Sequence, residues 1–419
     1  MQKIIIIVQY YNLNLNIYII LMKKLNYKLI IVFVGLPASG KSYTSNHIKQ
    51  YLTWLGYNIK IFNCGDYRRK LSKKILNSDF FDNNNFNNKK IKESYFYYSM
   101  FDLNYHLRFT NTNIGILDAT NSTKKRRNKI IKFFSLFNYQ KRIIFLENIT
   151  NDPLILKNNI NFKKSSPDYK DKSVEFMMKD FNDRLDHYRK IYQDIEDDEN
   201  IDYVKIYNCG KKVIYNNIFG HLETIILNYI INFRVNIKKI YLTRHGESLF
   251  NVQNRIGGDP ILTNKGIDYS KKLFKYISFH YKTNDIIIFT SNLKRTKETS
   301  ELLIKNDYEV IHKDILNEID GGICENMTYE EVKNKMPELY KNRKKDKFNF
   351  KYPEGESYND LIFRIKEFIL EINRLNKPIL IITHNAVIRV ILCYFLNIPH
   401  KIIPHMDIPL HSLYCIENE

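Results

Sequence analysis

Residues 29–42 read Leu-Ile-Ile-Val-Phe-Val-Gly-Leu-Pro-Ala-Ser-Gly-Lys-Ser. The first six are apolar and mostly β-branched, the pattern of a strand buried on both faces of a parallel sheet. The last eight match the phosphate-binding pattern Gly-x-x-x-x-Gly-Lys-Ser, and Ser42 to Leu55 then carry helical periodicity. A strand before the glycines and a helix after them give so short a pattern its weight. The glycines let backbone N–H groups approach phosphate oxygens, while the helix N-terminus adds donors and a favourable dipole. In that setting Lys41 reaches the β- and γ-phosphates of a nucleotide, and the Ser42 hydroxyl coordinates magnesium.

Working outward, residues 58–62 read as a second strand and "IGILDAT" (114–120) as a third. Strands alternating with helices predict a doubly wound α/β domain. Asp118 ends an apolar run, at the carboxyl end of a strand where such sheets place their ligands. It is a magnesium or proton-accepting candidate, with capping of the next helix as the structural alternative. The Asn-rich stretch "FFDNNNFNNKK" (80–90) reads as a loop, "YVKIYNCG" (203–210) as a short strand, and residues 215–232 as a helix.

Near residue 235 the pattern restarts with "IKKIYLTRHGES" (237–248), again strand then turn, and strands follow at "DIIIFTS" (285–291) and "PILIITH" (378–384). The expectation is two α/β domains, 29–234 and 235–419, after an extension over residues 1–28. Two histidines at strand ends, His245 and His384, converge on one crevice if their strands share a sheet. A neutral His245 imidazole is suited to attack phosphorus and carry a phosphoenzyme. Arg244 and Arg295 would neutralise equatorial oxygens, and Glu318 in "LNEIDGG" would serve as general acid, then base.

The chain has 419 residues and a net charge of +20, which favours anionic partners without choosing among them. The excess is scattered Lys mixed with Asn, and no nucleic-acid motif accompanies it, so nucleic acid is not the expected partner. Five dispersed cysteines without a Cys-x-x-Cys pair argue for a reducing cytosol, neither disulfide framework nor zinc site being indicated. Residues 4–22 are apolar enough to suggest an anchor, yet Gln9, Asn12, Asn14 and Asn16 would leave amides unsatisfied in hydrocarbon. No membrane association is expected, and Met22 stands where a chain could naturally begin.

These parts predict phosphoryl transfer without naming an acceptor. "VGLPASGKSY", "GYNIKIFNCGDYRRK", "DATNSTKKRR" and "KKSSPDYKD" resemble, in order and spacing, the kinase half of 6-phosphofructo-2-kinase/fructose-2,6-bisphosphatase. "TRHGESLFNVQNRIGGD", "NEIDGGICENMTYEEV", "KFNFKYPEGESYNDLIFRI" and "THNAVIRVILCYFL" resemble its bisphosphatase half, a histidine phosphatase similar to phosphoglycerate mutases. The resemblance implies that ATP with Mg2+ phosphorylates fructose 6-phosphate to fructose 2,6-bisphosphate, and that the other half removes the 2-phosphate. It implies a nucleotide site at Gly35, Ala38, Ser39, Gly40, Lys41, Ser42, Tyr43, Asn159 and Lys163. Fructose 6-phosphate would meet Arg68, Lys92, Thr120, Arg126, Lys163, Arg184 and Tyr188. The sugar and second phosphate of the bisphosphate would meet Asn251, Gly257, Tyr329, Arg343, Lys347, Tyr358, Asn385 and Arg389. It further implies a cytoplasmic homodimer.

Three positions depart from the family pattern: Lys92 stands for an Arg, Thr150 for a Cys near the nucleotide, and Asn385 for a Gln. Lys92 keeps charge but loses the bidentate fork, which predicts weaker fructose 6-phosphate binding and hints at a bias toward the bisphosphatase without fixing the ratio of the two activities. Competing readings are a kinase/phosphatase that mends nucleic-acid ends and a non-catalytic nucleotide-binding scaffold.

Overall fold

The computed structural model describes residues 27–72, 78–82, 85–162, 168–169, 172–234 and 238–417. The expected extension therefore lies outside the described residues except for Tyr27 and Lys28, which belong to the fold. Tyr27 donates its hydroxyl to Glu223 (2.7 Å), and Lys28 opens the first strand. The chain divides into two compact units, Met1–Ile231 and Asn232–Glu419.

The first unit runs β1 (Lys28–Val34), α1 (Lys41–Trp54), β2 (Ile59–Asn63), α2 (Cys64–Leu71), a 3-10 turn (Ser78–Phe81), α3 (Phe86–Phe109), β3 (Ile114–Asp118) and α4 (Lys124–Ser135). It continues through β4 (Lys141–Ile149), α5 (Pro153–Asn161), α6 (Val174–Arg189), β5 (Tyr203–Tyr207), β6 (Lys212–Asn216) and α7 (His221–Asn232). Among the described residues these strands form one sheet in the order β2-β3-β1-β4-β5-β6, parallel except for β6. Leu29 to Val34 are fully buried, as an unbroken apolar run requires. Strand β1 pairs with β3 on one side and β4 on the other, so the switch point of the winding opens at the end of β1, beside Gly35.

The second unit holds β7 (Lys239–Arg244), α8 (Leu249–Val252), α9 (Asn264–His280), β8 (Ile287–Thr290), α10 (Lys294–Ile304) and β9 (Val310–His312). Then follow α11 (Tyr329–Lys335), α12 (Pro337–Lys345), α13 (Tyr358–Arg374), β10 (Ile379–Thr383), α14 (Asn385–Leu396) and β11 (Leu413–Glu417). The sheet order among the described residues is β11-β7-β10-β8-β9, with only β11 antiparallel. Strands β7 and β10 are neighbours in register, Arg244 opposite Thr383, so the residues that follow them emerge side by side.

Both sheets are thus parallel-rich with one antiparallel edge. Two sequence expectations need correction. The Asn-rich stretch is not a loop throughout: Phe80 and Phe81 are buried, and Phe86 to Lys90 begin α3 behind an Asn85 cap whose side chain accepts from the Asn88 N–H. The expected helix over 215–232 begins at His221, because the Tyr215 segment is edge strand β6, whose alternation is too short to be distinctive.

Candidate active sites

In the first unit the turn from Gly35 to Gly40 joins β1 to α1. Gly35 has φ +140°, and a Cβ there would stand 2.5 Å from the Asn148 carbonyl oxygen and 2.7 Å from Ser39 Oγ, so only glycine fits. Its N–H donates to the Thr120 carbonyl (3.0 Å), fastening the turn to the loop after β3. Lys41 Nζ lies over the turn, donating to the carbonyls of Gly35 (2.8 Å) and Leu36 (2.6 Å). Ser42 Oγ donates to Asp118 Oδ2 (2.7 Å), which also accepts from Asn63 Nδ2 (2.6 Å). Ser39 and Asp118 are buried, and Asn159 Nδ2 holds the Ala38 carbonyl at 2.8 Å. Thr150 Oγ1 reaches the Ser39 carbonyl at 3.4 Å, and Tyr43 is exposed. Lys163 lies outside the described residues.

The expected fructose 6-phosphate residues gather around a ring that sequence reading passed over. The Arg68 and Arg184 guanidinium groups lie 5.3 and 4.5 Å from the centre of Phe81, and the Tyr188 ring lies 6.1 Å from it. Lys92 Nζ donates to the Phe81 carbonyl (3.1 Å), and burial pushes this ammonium down to about 8. Burial raises the Tyr188 hydroxyl above the ordinary tyrosine value, against the opposing influence of Arg68, Thr120, Arg184 and Arg126 beside it. Arg126 stacks on Phe96 (3.9 Å). Each arginine has a carboxylate partner: Arg68 pairs with Asp168, Arg126 with Glu93, and Arg184 with Asp180 (2.8 Å). Asn63, Phe81 and Asp168 were not singled out from the sequence. Asn63 and Asp168 lie within motifs that carry the family resemblance, whereas Phe81 carries no local signal. The loop carrying Thr120 is braced by fully buried Arg127, which binds Glu199 and donates to the carbonyls of Asn121, Gln193 and Asp194.

In the second unit His245 and His384 face each other with ring centres 5.2 Å apart, and both are buried. His245 Nδ1 lies 2.7 Å from the Gly246 carbonyl, which can only accept, so Nδ1 carries the proton and Nε2 the lone pair. Nε2 accepts from Arg295 Nε at 3.2 Å. Burial, then the Arg295 charge, holds both imidazoles well below the ordinary histidine value. His384 Nε2 pairs with Ser291 Oγ (2.8 Å). Arg244 Nη1 donates to the Ile408 carbonyl (2.8 Å), and the Glu318 carboxylate accepts from the Ala386 N–H (3.2 Å). Three buried polar atoms here have no protein partner, namely Arg244 Nε, His384 Nδ1 and Asn385 Oδ1, the mark of a site built for a polar ligand.

The remaining expected residues form a neighbouring cationic group. Arg343 donates to Tyr352 (2.6 Å) and Tyr329 (2.9 Å), and Arg389 donates to Tyr358 (2.9 Å). Lys347 donates to the Pro404 carbonyl (2.8 Å), and burial, followed by Arg343 and Arg389, lowers it to about 8. Asn251 Oδ1 accepts from Ser248 N–H and Oγ at the start of α8, a capping role. Gly257 has φ +60° and sits against Glu325.

Residues 18–237 match the 6-phosphofructo-2-kinase family, and residues 240–419 match the histidine phosphatase superfamily, branch 1. The chain is 37% identical to 6-phosphofructo-2-kinase 1 of Saccharomyces cerevisiae, over 93% of this chain and 50% of that protein. It is also 37% identical to fructose-2,6-bisphosphatase of the same yeast, over 93% of this chain and 86% of that one. To the 6-phosphofructo-2-kinase/fructose-2,6-bisphosphatase of Aquarana catesbeiana it is 38% identical, over 92% of this chain and 81% of that one. The chain thus spans half the length of the first relative and most of the other two, and by sequence along nearly its whole length it belongs to the 6-phosphofructo-2-kinase/fructose-2,6-bisphosphatase family.

Proposed function

We propose that the first unit transfers the γ-phosphoryl group of ATP to the 2-hydroxyl of fructose 6-phosphate, and that the second hydrolyses the resulting 2-phosphate. The observation that carries this reading is one chain holding two separate constellations suited to phosphate, a glycine turn with Lys41 and a pair of imidazoles beside Arg295. Ser42 Oγ and the Asp118 carboxylate, 2.7 Å apart, are hard oxygen donors suited to Mg2+, which would screen the phosphate charge. Arg68, Arg126, Arg184 and Lys92 would hold the sugar phosphate, with Asp118 near enough to the turn to receive the acceptor's proton.

In the second unit His245 Nε2 would attack phosphorus. The bond to the sugar O2 breaks while Glu318 supplies that oxygen with a proton, leaving fructose 6-phosphate and phosphohistidine. Water then attacks the phosphohistidine with Glu318 taking its proton, which restores the enzyme and releases inorganic phosphate. Arg244, Arg295 and His384 would hold the phosphoryl oxygens throughout. Such a pair of activities would set the level of a regulatory metabolite and, through it, glycolytic flux.

Among the described residues no helix is long and apolar enough to cross a membrane. A cytoplasmic homodimer is the assembly that family likeness supports, and sedentation of the purified enzyme by analytical ultracentrifugation tests it. The decisive experiment incubates the enzyme with ATP, magnesium and fructose 6-phosphate, alongside Lys41→Ala and His245→Ala. Lys41→Ala is expected to abolish synthesis and spare breakdown, and His245→Ala the reverse, each by at least ~10^3-fold. Synthesis untouched in Lys41→Ala would overturn the kinase assignment. Phosphorylation of a 5′-hydroxyl oligonucleotide in preference to the sugar would favour nucleic-acid end repair instead.

A further inference from the structure

Two loops meet behind the paired histidines. One, residues 256–258, presents the Gly258 carbonyl to Arg295 Nη1 (2.7 Å), and Arg295 Nε in turn donates to His245. The other, residues 317–321, carries Glu318. A single side chain joins them: one oxygen of Glu325 accepts from the Gly258 N–H, and the other accepts from the Gly321 N–H at 2.7 Å. Backbone bonds run alongside, Ile256 N–H to the Met327 carbonyl (2.8 Å) and Asn326 N–H to the Ile256 carbonyl (2.9 Å). The fit is close, since a Cβ on Gly257 would lie 1.9 Å from Glu325 Oε2.

We infer that Glu325 is a positioning residue for the phosphatase reaction, holding the arginine that grips the phosphoryl group and the carboxyl that moves the proton in one fixed relation. Its hydrogen bonds run to the Gly258 and Gly321 N–H groups, so its effect passes through the loops that hold Arg295 and Glu318. Burial works against the Arg295 charge, and Glu318, Asp259 and, least of the three, Glu325 offset it. Both of its oxygens must accept, because both partners are backbone N–H groups. Glutamine keeps the shape but turns an NH2 toward one of them, so Glu325→Gln releases one loop while leaving the packing alone. Misplacing a catalytic group by about 1 Å can cost about 10^2 in rate.

The inference rests on His245 carrying the phosphoryl group, and the test separates the two. Wild type, Glu325→Gln, Arg295→Ala and the double variant are mixed rapidly with fructose 2,6-bisphosphate labelled at the 2-phosphate, and phosphoenzyme formation and decay are followed. For Glu325→Gln the expected result is a kcat lowered roughly 10- to 100-fold with KM within about threefold. The double variant should lose less than the product of the two single losses. A merely structural role would lower the melting temperature and leave kcat of the folded enzyme intact. Wild-type kcat in Glu325→Gln, or strictly multiplicative losses with Arg295→Ala, would overturn the inference. Absence of label on His245 in the wild type would instead overturn the phosphohistidine reading.

Discussion

The two sites hold their cations in opposite ways. Among the described residues the arginines expected to hold fructose 6-phosphate are each matched to a carboxylate, Arg68 to Asp168, Arg126 to Glu93 and Arg184 to Asp180. In the phosphatase crevice the arginines donate to neutral groups instead, Arg244 to the Ile408 carbonyl and Arg295 to the Gly258 carbonyl and His245, while Glu318 and other carboxylates act on them only from a distance. Arg244 Nε, His384 Nδ1 and Asn385 Oδ1 remain without a protein partner there. On the proposed reading a phosphate entering the first site would displace carboxylates, whereas one entering the second would meet Arg244 Nε and His384 Nδ1, which have no protein partner. The first arrangement would then tune affinity, and the second would be preorganised for chemistry.

The sharpest test of that contrast replaces one arginine in each site. Arg295→Ala should lower bisphosphatase kcat by about 10^2 to 10^3, the range for losing one preorganised donor, with a small change in KM. Arg68→Ala should act mainly on KM for fructose 6-phosphate, raising it by about 10- to 100-fold, the worth of a charge-assisted bond. Initial-rate kinetics of both directions decide the matter. If Arg68→Ala lowered kcat and spared KM, the division between affinity and chemistry would fail.

Phe81 offers a gentler test on the kinase side. Its ring lies beneath Arg68 and Arg184 and its carbonyl holds Lys92, so Phe81→Leu removes two cation–π contacts and leaves the backbone bond. KM for fructose 6-phosphate should rise about 5- to 30-fold at about 1–2 kcal/mol, with KM for ATP unchanged, and Phe81→Tyr should restore it. An equal rise in both KM values would mean that the ring supports the fold generally.

On the phosphatase side the neutral imidazoles tie stability to pH. In the unfolded chain a histidine titrates near 6.5, while His245 and His384 are held well below that by burial and by Arg295. As pH falls through about 6.5 the unfolded chain takes up protons that the folded one refuses, so stability drops, by up to about 1.4 kcal/mol per pH unit for each group. Calorimetric unfolding from pH 7.5 to 5.5 should show this slope, and His384→Gln should reduce it. An unchanged slope would mean that His384 is protonated in the folded enzyme.

Legibility differed between the two halves for the same reason. Lys41 and Ser42 open α1 and were legible through the Gly-x-x-x-x-Gly-Lys-Ser pattern that follows β1, whereas His245 and His384 directly follow β7 and β10, where an apolar run announces the strand and fixes the next residue. Asp118 was legible on the same ground. Phe81, Asn63 and Glu325 were not, because each acts through a contact distant in sequence: Phe81 with Arg184, Asn63 with Asp118, Glu325 with Gly258. Strand β6 escaped because it is a five-residue edge. The start of α3 escaped because asparagines read as loop unless one of them is known to be a cap.

The smallest effect is shared by both sites and probes where the contrast ends. Each has one half-buried lysine lowered to about 8, Lys92 in the kinase pocket and Lys347 beside Arg343 and Arg389. Such an amine is charged at pH 7 and largely neutral at pH 9, while a sugar phosphate is already a dianion across that range. KM for fructose 6-phosphate in synthesis and KM for fructose 2,6-bisphosphate in breakdown should therefore both rise, about three- to tenfold, between pH 7 and pH 9. Lys92→Arg and Lys347→Arg should each flatten the profile of their own reaction only, because a guanidinium keeps its charge throughout. At pH 7 Lys92→Arg should also lower KM for fructose 6-phosphate by restoring a bidentate fork, which links the weak point in the kinase pocket to a single ammonium group.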